Sequence, residues 1–447
     1  MTTALVHDRL RERATGIVTE LAARLADPDR LIAAATAEGN LDLVPGMTAP
    51  APPWARLGLT EGHPAAALLL TELSHRDPAF AVAAHAHLAR AAAGLGGPQP
   101  TGLFGGPASL AFAARLAQRS PSHYAGLLES LDTWIEARLT ALLATERERL
   151  DAARAGVRLS TFDVICGTTG LGRYLLLAPQ RHRALLAETL GHLVRLTTPR
   201  MLNGRTVPGW WAPLEPGRGP QHPGGHSNLG LAHGISGPLA LLSLAWRAGV
   251  RVPGQAEAIE AIAAHLLDWQ QPNGLWPRSV GYDTYLAGPP GPSREGAMVA
   301  WCYGTPGTAR ALQLAGLALD RPHWHQRAVA AMLTALGEPA RAICDTTLCH
   351  GWAGVLHIAT LLARDSGDQR LAERLPGLVE RVTDAYHPDR PFGFRYDRPD
   401  VADTLRQAPH RAGFLDGAAG ITLALTPHTT GAADTPATAW DAALLLN

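Results

Sequence analysis

Pairs of small residues, each followed by an apolar run, recur along the chain from residue 62 onward. Each pair has the form Gly-x-x-Gly or Gly-x-x-Ala, and successive pairs begin 43 to 70 residues apart. The runs, such as residues 239–245, are rich in alanine and leucine on most faces, which predicts helices that are packed on both sides. Each interval accommodates a helix, a loop and a second helix. The seven pairs begin at Gly62, Gly105, Gly167, Gly234, Gly304, Gly351 and Gly417.

Internal periodicity of this kind is typical of an array of supersecondary units that bury their apolar faces against their neighbours. Small residues at the helix starts allow neighbouring backbones to approach closely. The simplest closed solution is an all-α fold: an α/α toroid, or barrel, in which outer helices surround seven repeated inner helices.

Proline and glycine mark the boundaries of this predicted domain. Prolines at positions 45, 50, 52 and 53 interrupt the pattern, so residues 1–48 are predicted to form an N-terminal helical segment and residues 49–447 the toroid. Residues 197–228 are dense in glycine and proline in their second half, which predicts a small inserted, irregular lobe near the mouths of the inner helices.

Polar residues occupy repeated positions just before the first glycine of several pairs. His233, Tyr303 and His350 lie one residue before it, Cys302 and Cys349 two residues before it, and Asp163 four residues before it. These side chains are therefore expected at one end of the toroid. A cluster of polar, potentially reactive side chains at one end of an otherwise apolar toroid indicates an active site.

Two of these cysteines and one histidine form a candidate metal site. Cys302, Cys349 and His350 offer two sulfur ligands and one imidazole, the set that tetrahedral zinc prefers, with one position left for water or substrate. A structural zinc site normally has four protein ligands, and no Cys-x-x-Cys motif occurs in the chain. Buried thiols without a metal remain the alternative interpretation of the residues alone.

The amino-acid composition argues against some classes of binding partner and cellular location. The chain has 39 basic and 39 acidic side chains, so it carries no charge pattern that would favour nucleic acid or an anionic membrane. Residues 1–25 lack the apolar centre of a signal peptide, and no apolar run predicts an integral membrane segment. Four cysteines in 447 residues do not form a disulfide framework, which favours a cytoplasmic protein.

Three motifs, taken together and in this order, resemble the lanthionine synthetase C family. They are Asn-Leu-Gly-Leu-Ala-His-Gly at 228–234, Trp-Cys-Tyr-Gly-Thr-Pro-Gly at 301–307 and Cys-His-Gly at 349–351. The resemblance covers the chain from the first glycine pair onward. It implies an α/α toroid with an inserted β-rich lobe, and a lanthionine synthetase that closes thioether rings, which is a carbon–sulfur bond-forming cyclase of the lyase class.

The resemblance also implies the cofactor and the partners. Zn²⁺ is expected on Cys302, Cys349 and His350. The substrate is expected to be a precursor peptide whose serine and threonine residues a separate lanthipeptide dehydratase has converted to dehydroalanine and dehydrobutyrine. No nucleic acid partner is expected.

The positions that match further active-site residues of the family are Asp163, His233 and Tyr303, with Trp301 lining the site. His226 is a further candidate for contact with substrate. The family usually carries an arginine four residues before the first zinc cysteine, where this chain has Met298. Arg294, one helical turn earlier, is the candidate to fill the same space.

The chemistry assigns a role to each side chain. A free cysteine thiol has a pKa of about 8.5, and its thiolate is the nucleophile, so coordination to zinc would activate the substrate thiol. His233 is the candidate for moving protons, Asp163 for orienting its imidazole, and Tyr303 for donating a hydrogen bond to the enolate oxygen. The alternatives are a backbone-bonded histidine, a helix-capping aspartate and a packed tyrosine.

Two other functions remain open on the sequence. A zinc hydrolase or a toroidal glycosidase fits poorly, because only Asp163 and Asp416 could serve as opposed carboxylates. A non-catalytic relative that binds zinc and a thiol such as glutathione is kept open by Met298.

Overall fold

The computed structural model describes residues 3–43, 48–213, 223–289, 298–396, 408–430 and 435–447. The chain forms two compact units, each discontinuous in sequence. The first consists of Met1–Pro100, Phe104–Leu131 and Ile343–Trp440, and the second of Thr101–Leu103, Asp132–Ala342 and Asp441–Asn447. Both units are built mainly from α-helices, as the apolar runs predicted.

The first unit contains the helices from both ends of the chain. They are α1 (Thr3–Ala26), α2 (Pro28–Ala35), α3 (His63–Leu73), α4 (Ala79–Ala92), α5 (Gly106–Ala117), α15 (Trp352–Ser366), α16 (Gln369–Ala372), α17 (Leu375–Asp384) and α18 (Ala418–Leu425).

The second unit contains the central helices and four short strands. The helices are α6 (Ala125–Asp151, most of which lies in this unit), α7 (Leu159–Phe162), α8 (Thr168–Leu175), α9 (Arg183–Arg195), α10 (Ser236–Arg247), α11 (Gln255–Asp268), α12 (Tyr282–Ala287), α13 (Thr305–Leu319) and α14 (Pro322–Ala335). The strands are β1 (Arg200–Leu202), β2 (Arg205–Val207), β3 (His226–Asn228) and β4 (Ser279–Gly281).

Each predicted glycine pair starts a helix that is buried on nearly every face. Six of these helices begin directly after the first glycine, and α10 begins two residues after Gly234. Every residue of α3, α8 and α18 is buried, whereas α9 and α17 bury only one face. The predicted inner helices are therefore distinguished from their neighbours by burial.

The second residue of the pair must be small because a loop crosses it. A Cβ atom on Gly307 would overlap the carbonyl oxygen of Trp301, and one on Gly354 would overlap that of Leu348. In both cases the oxygen lies six residues earlier, in the loop that leads into the helix. The pair therefore fixes the course of the loops that carry the cysteines.

The inserted lobe is built from short antiparallel strands. β1 pairs with β2, and β3 pairs with β4 with His226 opposite Gly281 and Asn228 opposite Ser279. Three of these strands lie within the predicted insertion at 197–228, but β4 comes from a segment more than fifty residues later. The β-rich lobe that the family resemblance implies therefore describes this region better than the irregular lobe predicted from its glycine and proline content.

The N-terminal helices pack within the first unit. Arg24 of α1 donates hydrogen bonds to the carbonyl oxygens of Arg390 (2.5 Å) and Pro388 (2.6 Å). The predicted division between residues 1–48 and 49–447 stays a prediction. In the described part of the chain, every helix is too short or too polar to cross a bilayer.

Candidate metal centre and active site

The three predicted metal ligands form a cluster. The ligand atoms offered by Cys302, Cys349 and His350 all lie within 4.8 Å of one another. Cys302 is buried, and the other two are partly exposed. Among the residues that the structure describes, this is the one group of three or more histidine, cysteine or acidic side chains placed to hold a metal ion.

Backbone hydrogen bonds hold the loops that carry the two cysteines. The carbonyl oxygen of Cys302 accepts from the N–H of Ala232 at 3.2 Å. The N–H of Cys349 donates to the carbonyl oxygen of Leu415 at 3.0 Å. Each cysteine loop is therefore held by a backbone hydrogen bond within its own unit.

A buried carboxylate holds one nitrogen of the candidate ligand His350. Nε2 of His350 lies 2.9 Å from Oδ2 of Asp345, whose side chain is fully buried. The other oxygen, Oδ1, accepts from both the N–H and the hydroxyl of Thr347 at 2.8 Å. Because Asp345 occupies Nε2, the nitrogen left for a metal ion is Nδ1.

These contacts stabilise the ionised form of the Asp345 carboxylate. Burial opposes ionisation, but the contact with His350 and the two hydrogen bonds from Thr347 outweigh it, so the pKa of Asp345 is lowered. Asp345 is not among the site residues predicted from the sequence. A carboxylate a few residues before a candidate ligand histidine was the available signal, since such pairs orient metal-binding imidazoles.

Asp163 and His233 form a second carboxylate–imidazole pair, in the second unit. Oδ2 of Asp163 lies 2.7 Å from Nδ1 of His233. Oδ1 accepts from the N–H groups of Cys166 (2.7 Å) and Gly167 (2.8 Å), in the turn that leads into α8. The N-cap of α8 is Gly167 and not Asp163, and the role of Asp163 in orienting His233 stays a prediction.

The pair changes the ionisation of His233. Burial lowers the pKa of this imidazole, but the hydrogen bond and charge of Asp163, with a contribution from Cys302, outweigh burial and raise it. His233 is about one-third exposed at its side chain, so it remains accessible to a reacting group. Tyr303 lies beside it, with ring centroids 6.1 Å apart.

The predicted substrate-binding residues are placed differently. Trp301 is buried, and its Nε1 donates to the carbonyl oxygen of Leu444 at 3.0 Å. His226 is fully buried in β3. Arg294 lies outside the described residues, and Met298 is partly exposed, with its carbonyl oxygen accepting from the N–H of Thr305. Contact of these residues with substrate stays a prediction.

The donor set fits zinc. Two thiols and one imidazole whose far nitrogen is held by a buried carboxylate match the ligands and the outer support of a zinc site with one open position. Cys302 lies close enough to the Asp163–His233 pair to contribute to the raised pKa of His233. Burial and Asp163 raise the pKa of Cys166 to about 11, so that thiol stays protonated at neutral pH.

Comparison with known proteins gives consistent matches. Residues 53–445 match the family model for lanthionine synthetase C-like proteins. The nisin biosynthesis protein NisC of Lactococcus lactis subsp. lactis is 25% identical over 272 residues, which cover 59% of this chain and 62% of that protein. The chain thus matches a little under two thirds of that relative's length.

A solved structure supports the fold. The nisin cyclase matches with a TM-score of 0.71 at 23% identity, covering 88% of this chain and 92% of that one. This likeness confirms the predicted fold class, an all-α toroid with small sheet elements.

Proposed function

The chain belongs to the lanthionine synthetase C-like family, and on that premise we propose that it is a lanthipeptide cyclase. It closes lanthionine and methyllanthionine rings by adding a cysteine thiol of a dehydrated precursor peptide to a dehydroalanine or dehydrobutyrine. The observation that carries the proposal is the Cys302–Cys349–His350 cluster with its supporting carboxylate Asp345. The dehydratase that supplies the substrate is a proposed partner, and a cytoplasmic location is likewise proposed.

Zn²⁺ is the proposed cofactor. Cys302, Cys349 and Nδ1 of His350 would hold it. When bound, it would lower the pKa of a thiol in its fourth position and so supply the thiolate at neutral pH.

The reaction needs the movement of one proton and no redox partner. The thiol S–H bond and the C=C π bond break, while an S–C bond and a C–H bond form, so the thiol hydrogen is in effect transferred to the α-carbon. A residue beside the thiol must therefore move a proton to the carbon that carries the developing charge.

His233 is the proposed proton carrier. Asp163 holds its Nδ1 and raises its pKa, so the protonated imidazole persists to higher pH and can donate to the α-carbon. Asp163 is itself fixed by two backbone N–H groups, which keeps the imidazole in one orientation. Tyr303 is proposed to donate a hydrogen bond to the enolate oxygen.

The first test is the zinc content of the purified protein beside a Cys349→Ala variant. We expect about one zinc per chain, as three ligands and one open position imply, and loss of zinc in the variant. Intact protein without zinc, after growth in zinc-supplemented medium, would argue against thiol activation.

The second test is ring closure on a peptide that carries one dehydroalanine and one cysteine. Closure leaves the mass unchanged, so the reaction is followed by alkylating the remaining thiol and measuring the mass by mass spectrometry. The proposal predicts a loss of alkylation that depends on the zinc-loaded protein. Tight binding of zinc and of the thiol with no ring closure would favour the non-catalytic binding protein instead.

A further inference from the structure

The imidazole of the candidate ligand His350 contacts an aromatic ring as well as the carboxylate of Asp345. The ring centroids of His350 and Tyr396 lie 5.9 Å apart, and the two planes are inclined by 63°, which is an edge-to-face arrangement. Tyr396 is 5% exposed, whereas the His350 side chain is partly exposed. A buried ring of the first unit therefore lies against a side chain that is proposed to bind zinc.

The tilt of the His350 ring matters for metal binding. The lone pair of Nδ1 lies in the plane of the imidazole, so the direction of that plane decides where the nitrogen can bind a metal ion. The contact between Asp345 and Nε2, at 2.9 Å, fixes the position of one atom. A contact with the ring as a whole is needed to restrict rotation of the plane about that atom, and Tyr396 supplies one.

Tyr396 is held in turn by a buried cation. The guanidinium carbon of Arg411 lies 4.3 Å from the centroid of the Tyr396 ring. Arg411 is 6% exposed, and a cation–π contact is stronger where water is excluded. Because the guanidinium is planar, it stacks on an aromatic face in a way that a lysine ammonium does not.

Carboxylates fix the guanidinium of Arg411. Its Nη1 lies 2.6 Å from Oε1 of Glu61 and 3.5 Å from Oδ2 of Asp416, and its Nη2 contacts Oδ2 of Asp42. Asp42 and Glu61 are both buried. Because these carboxylates meet different amino groups of one planar fork, the guanidinium cannot turn over the Tyr396 ring without losing an ion pair.

Residues 40–42 support the loop that carries Arg411. The side chain of Asn40 donates to the carbonyl oxygen of His410 at 3.0 Å and accepts from the His410 N–H at 2.8 Å. The backbone of Asp42 exchanges hydrogen bonds with that of Ala51 at 2.8 and 2.9 Å. Two residues of the predicted N-terminal segment 1–48 therefore hold the backbone before Arg411 and its side chain.

We propose that Tyr396 and Arg411 are positioning residues of the candidate ligand His350: Arg411 holds the Tyr396 ring, and this ring holds the plane of the imidazole that presents Nδ1 to the metal ion. Asn40 and Asp42 hold Arg411, so the N-terminal segment supports the metal centre. This inference rests on the zinc site of the proposed function, and it adds residues that have no part in the chemistry derived above.

The first experiment measures the zinc affinity of the full chain by competition with a chromophoric chelator. Tyr396→Leu removes the ring but keeps an apolar side chain, and it is expected to weaken zinc binding roughly 2- to 10-fold. Tyr396→Phe keeps the ring and is expected to stay within about twofold of the wild type. The matched control is Tyr124→Leu, because Tyr124 stacks on His85 in the same unit with ring centroids 5.8 Å apart.

The second experiment changes the cation and keeps its charge. Arg411→Lys retains a partner for the buried carboxylates but loses the planar group that lies over the ring. We expect zinc binding to weaken roughly 2- to 5-fold. The control is Arg251→Lys, whose guanidinium carbon lies at the same distance, 4.3 Å, from the Trp246 ring. Both control variants are expected to keep the zinc affinity of the wild type.

Two double variants decide whether the residues act in this order. If Tyr396 acts through the imidazole, Tyr396→Leu in a His350→Ala background weakens the remaining zinc binding by less than about twofold. If Arg411 acts through Tyr396, Arg411→Lys has an equally small effect in a Tyr396→Leu background. Losses as large as those in the wild-type background would overturn the proposal, because the residues would then support the fold and not the ligand.

A readout without metal separates this inference from the zinc site itself. In zinc-free protein with ¹⁵N-labelled histidine, the imidazole signals of His350 are identified by their absence in His350→Ala. We expect them to shift in Tyr396→Leu and in Arg411→Lys and to stay in place in both controls. Such shifts in a protein that binds no zinc would uphold the contacts and sink only the proposed function.

Unchanged His350 signals in folded Tyr396→Leu protein would overturn the inference, as would a loss of zinc affinity in Tyr396→Phe equal to that in Tyr396→Leu. Urea unfolding shows which variants are folded. If Tyr396→Leu does not fold, Arg411→Lys decides: unchanged His350 signals and wild-type zinc affinity in that variant would overturn the role of Arg411 and with it the proposal.

Discussion

At the scale of single residues, a buried carboxylate decides which nitrogen of His350 can bind a metal ion. Asp345 contacts Nε2, and its other oxygen is held by Thr347, so it cannot turn away without breaking two hydrogen bonds. In an Asp345→Asn variant the amide keeps the contacts to Thr347 but presents NH₂ to Nε2. The imidazole must then carry its proton on Nδ1, which removes the ligand lone pair.

We therefore expect Asp345→Asn to weaken zinc binding by roughly 10- to 100-fold. Competition with a chromophoric chelator measures this directly, without substrate. Asp368→Asn is the matched control, because Asp368 caps α16 through the N–H of Arg370 at 2.9 Å, away from the three candidate ligands in sequence. Equal zinc affinity in Asp345→Asn and wild type would remove Asp345 from the site.

Asp163 constrains the imidazole of His233 in the same way. Its Oδ1 must stay an acceptor for the N–H groups of Cys166 and Gly167, so Asp163→Asn presents its NH₂ to Nδ1 of His233. The imidazole is then held in the wrong tautomer and loses its charged partner. We expect kcat for ring closure to fall by about 10²- to 10⁴-fold. Zinc content is expected to be unchanged, and a variant that retains the wild-type rate would contradict the role of the pair.

Sequence reasoning identified the candidate ligands but not the groups that orient them. Cys302, Cys349 and His350 share fixed positions before a glycine pair, so periodicity alone placed them together. The spacing of Asp345 before His350 was an available signal, but its orientation follows from the hydrogen bonds that it accepts from Thr347, which spacing does not reveal. Trp301 and His226 are buried, and contact of either residue with substrate stays a prediction.

At the scale of elements, the glycine pairs explain why the inner helices were predictable. A small residue is needed wherever the preceding loop crosses the helix start, and the need recurs in every repeat. The first two repeats carry Ala65 and Ala108 at the second position, so the sequence pattern tolerates a methyl group there. Strand β4 was missed because its three residues pair with β3 across a long stretch of chain, and a strand that short has no periodicity to detect.

In the later repeats the preceding loop lies so close to the second glycine of the pair that adding a single methyl group there should destabilise the fold. In Gly354→Ala the added Cβ meets the carbonyl oxygen of Leu348, the residue before Cys349. We expect a loss of about 1–3 kcal/mol in the free energy of unfolding. We also expect weaker zinc binding, because the loop that carries Cys349 and His350 must move. Urea unfolding and chelator competition measure the two effects.

The matched control is the same substitution at Gly191, inside α9, where no atom would lie within 4 Å of an added Cβ. There alanine should raise the free energy of unfolding by about 0.5–1 kcal/mol, because glycine is a poor helix former. Opposite signs for the two variants are expected. Equal effects would mean that the crossing of loop and helix does not constrain Gly354.

At the scale of the whole molecule, buried histidines make stability depend on pH. Burial lowers the pKa of a group of histidines found in both units. The values are about 3 for His63 and His192 and about 4 for His87, His265 and His428.

The buried pair His63–His87 shows why protonation is opposed. Nε2 of His87 lies 2.9 Å from the carbonyl oxygen of Leu25 and must carry a hydrogen. Its Nδ1 therefore accepts from Nδ1 of His63 at 3.0 Å. A further proton on His87 would place two N–H groups against each other, and burial would leave the added charge without water.

These shifts predict acid instability well above the range in which carboxylates titrate. In the unfolded chain the histidines titrate at a pKa of about 6.5, above their folded values, so the unfolded state binds protons first as the pH falls. Their contribution to stability is complete above pH 6.5 and is lost as the pH falls to their folded pKa values of about 3 to 4. Each histidine should cost about 1.4 kcal/mol per pH unit in that window. Folded proteins are stable by only about 5–15 kcal/mol, so several such residues acting together are enough to unfold the chain near pH 5.

Urea unfolding between pH 7.5 and 5 measures this slope, and one substitution tests its origin. His192 is 6% exposed on α9, and burial is the first cause of its lowered pKa. In His192→Leu the slope of unfolding free energy against pH below 6.5 should decrease by about 1.4 kcal/mol per unit. The control is His323→Leu, because His323 is exposed. This variant should have the same slope of unfolding free energy against pH as the wild type. Parallel slopes in wild type and His192→Leu would mean that the acid instability does not arise from His192.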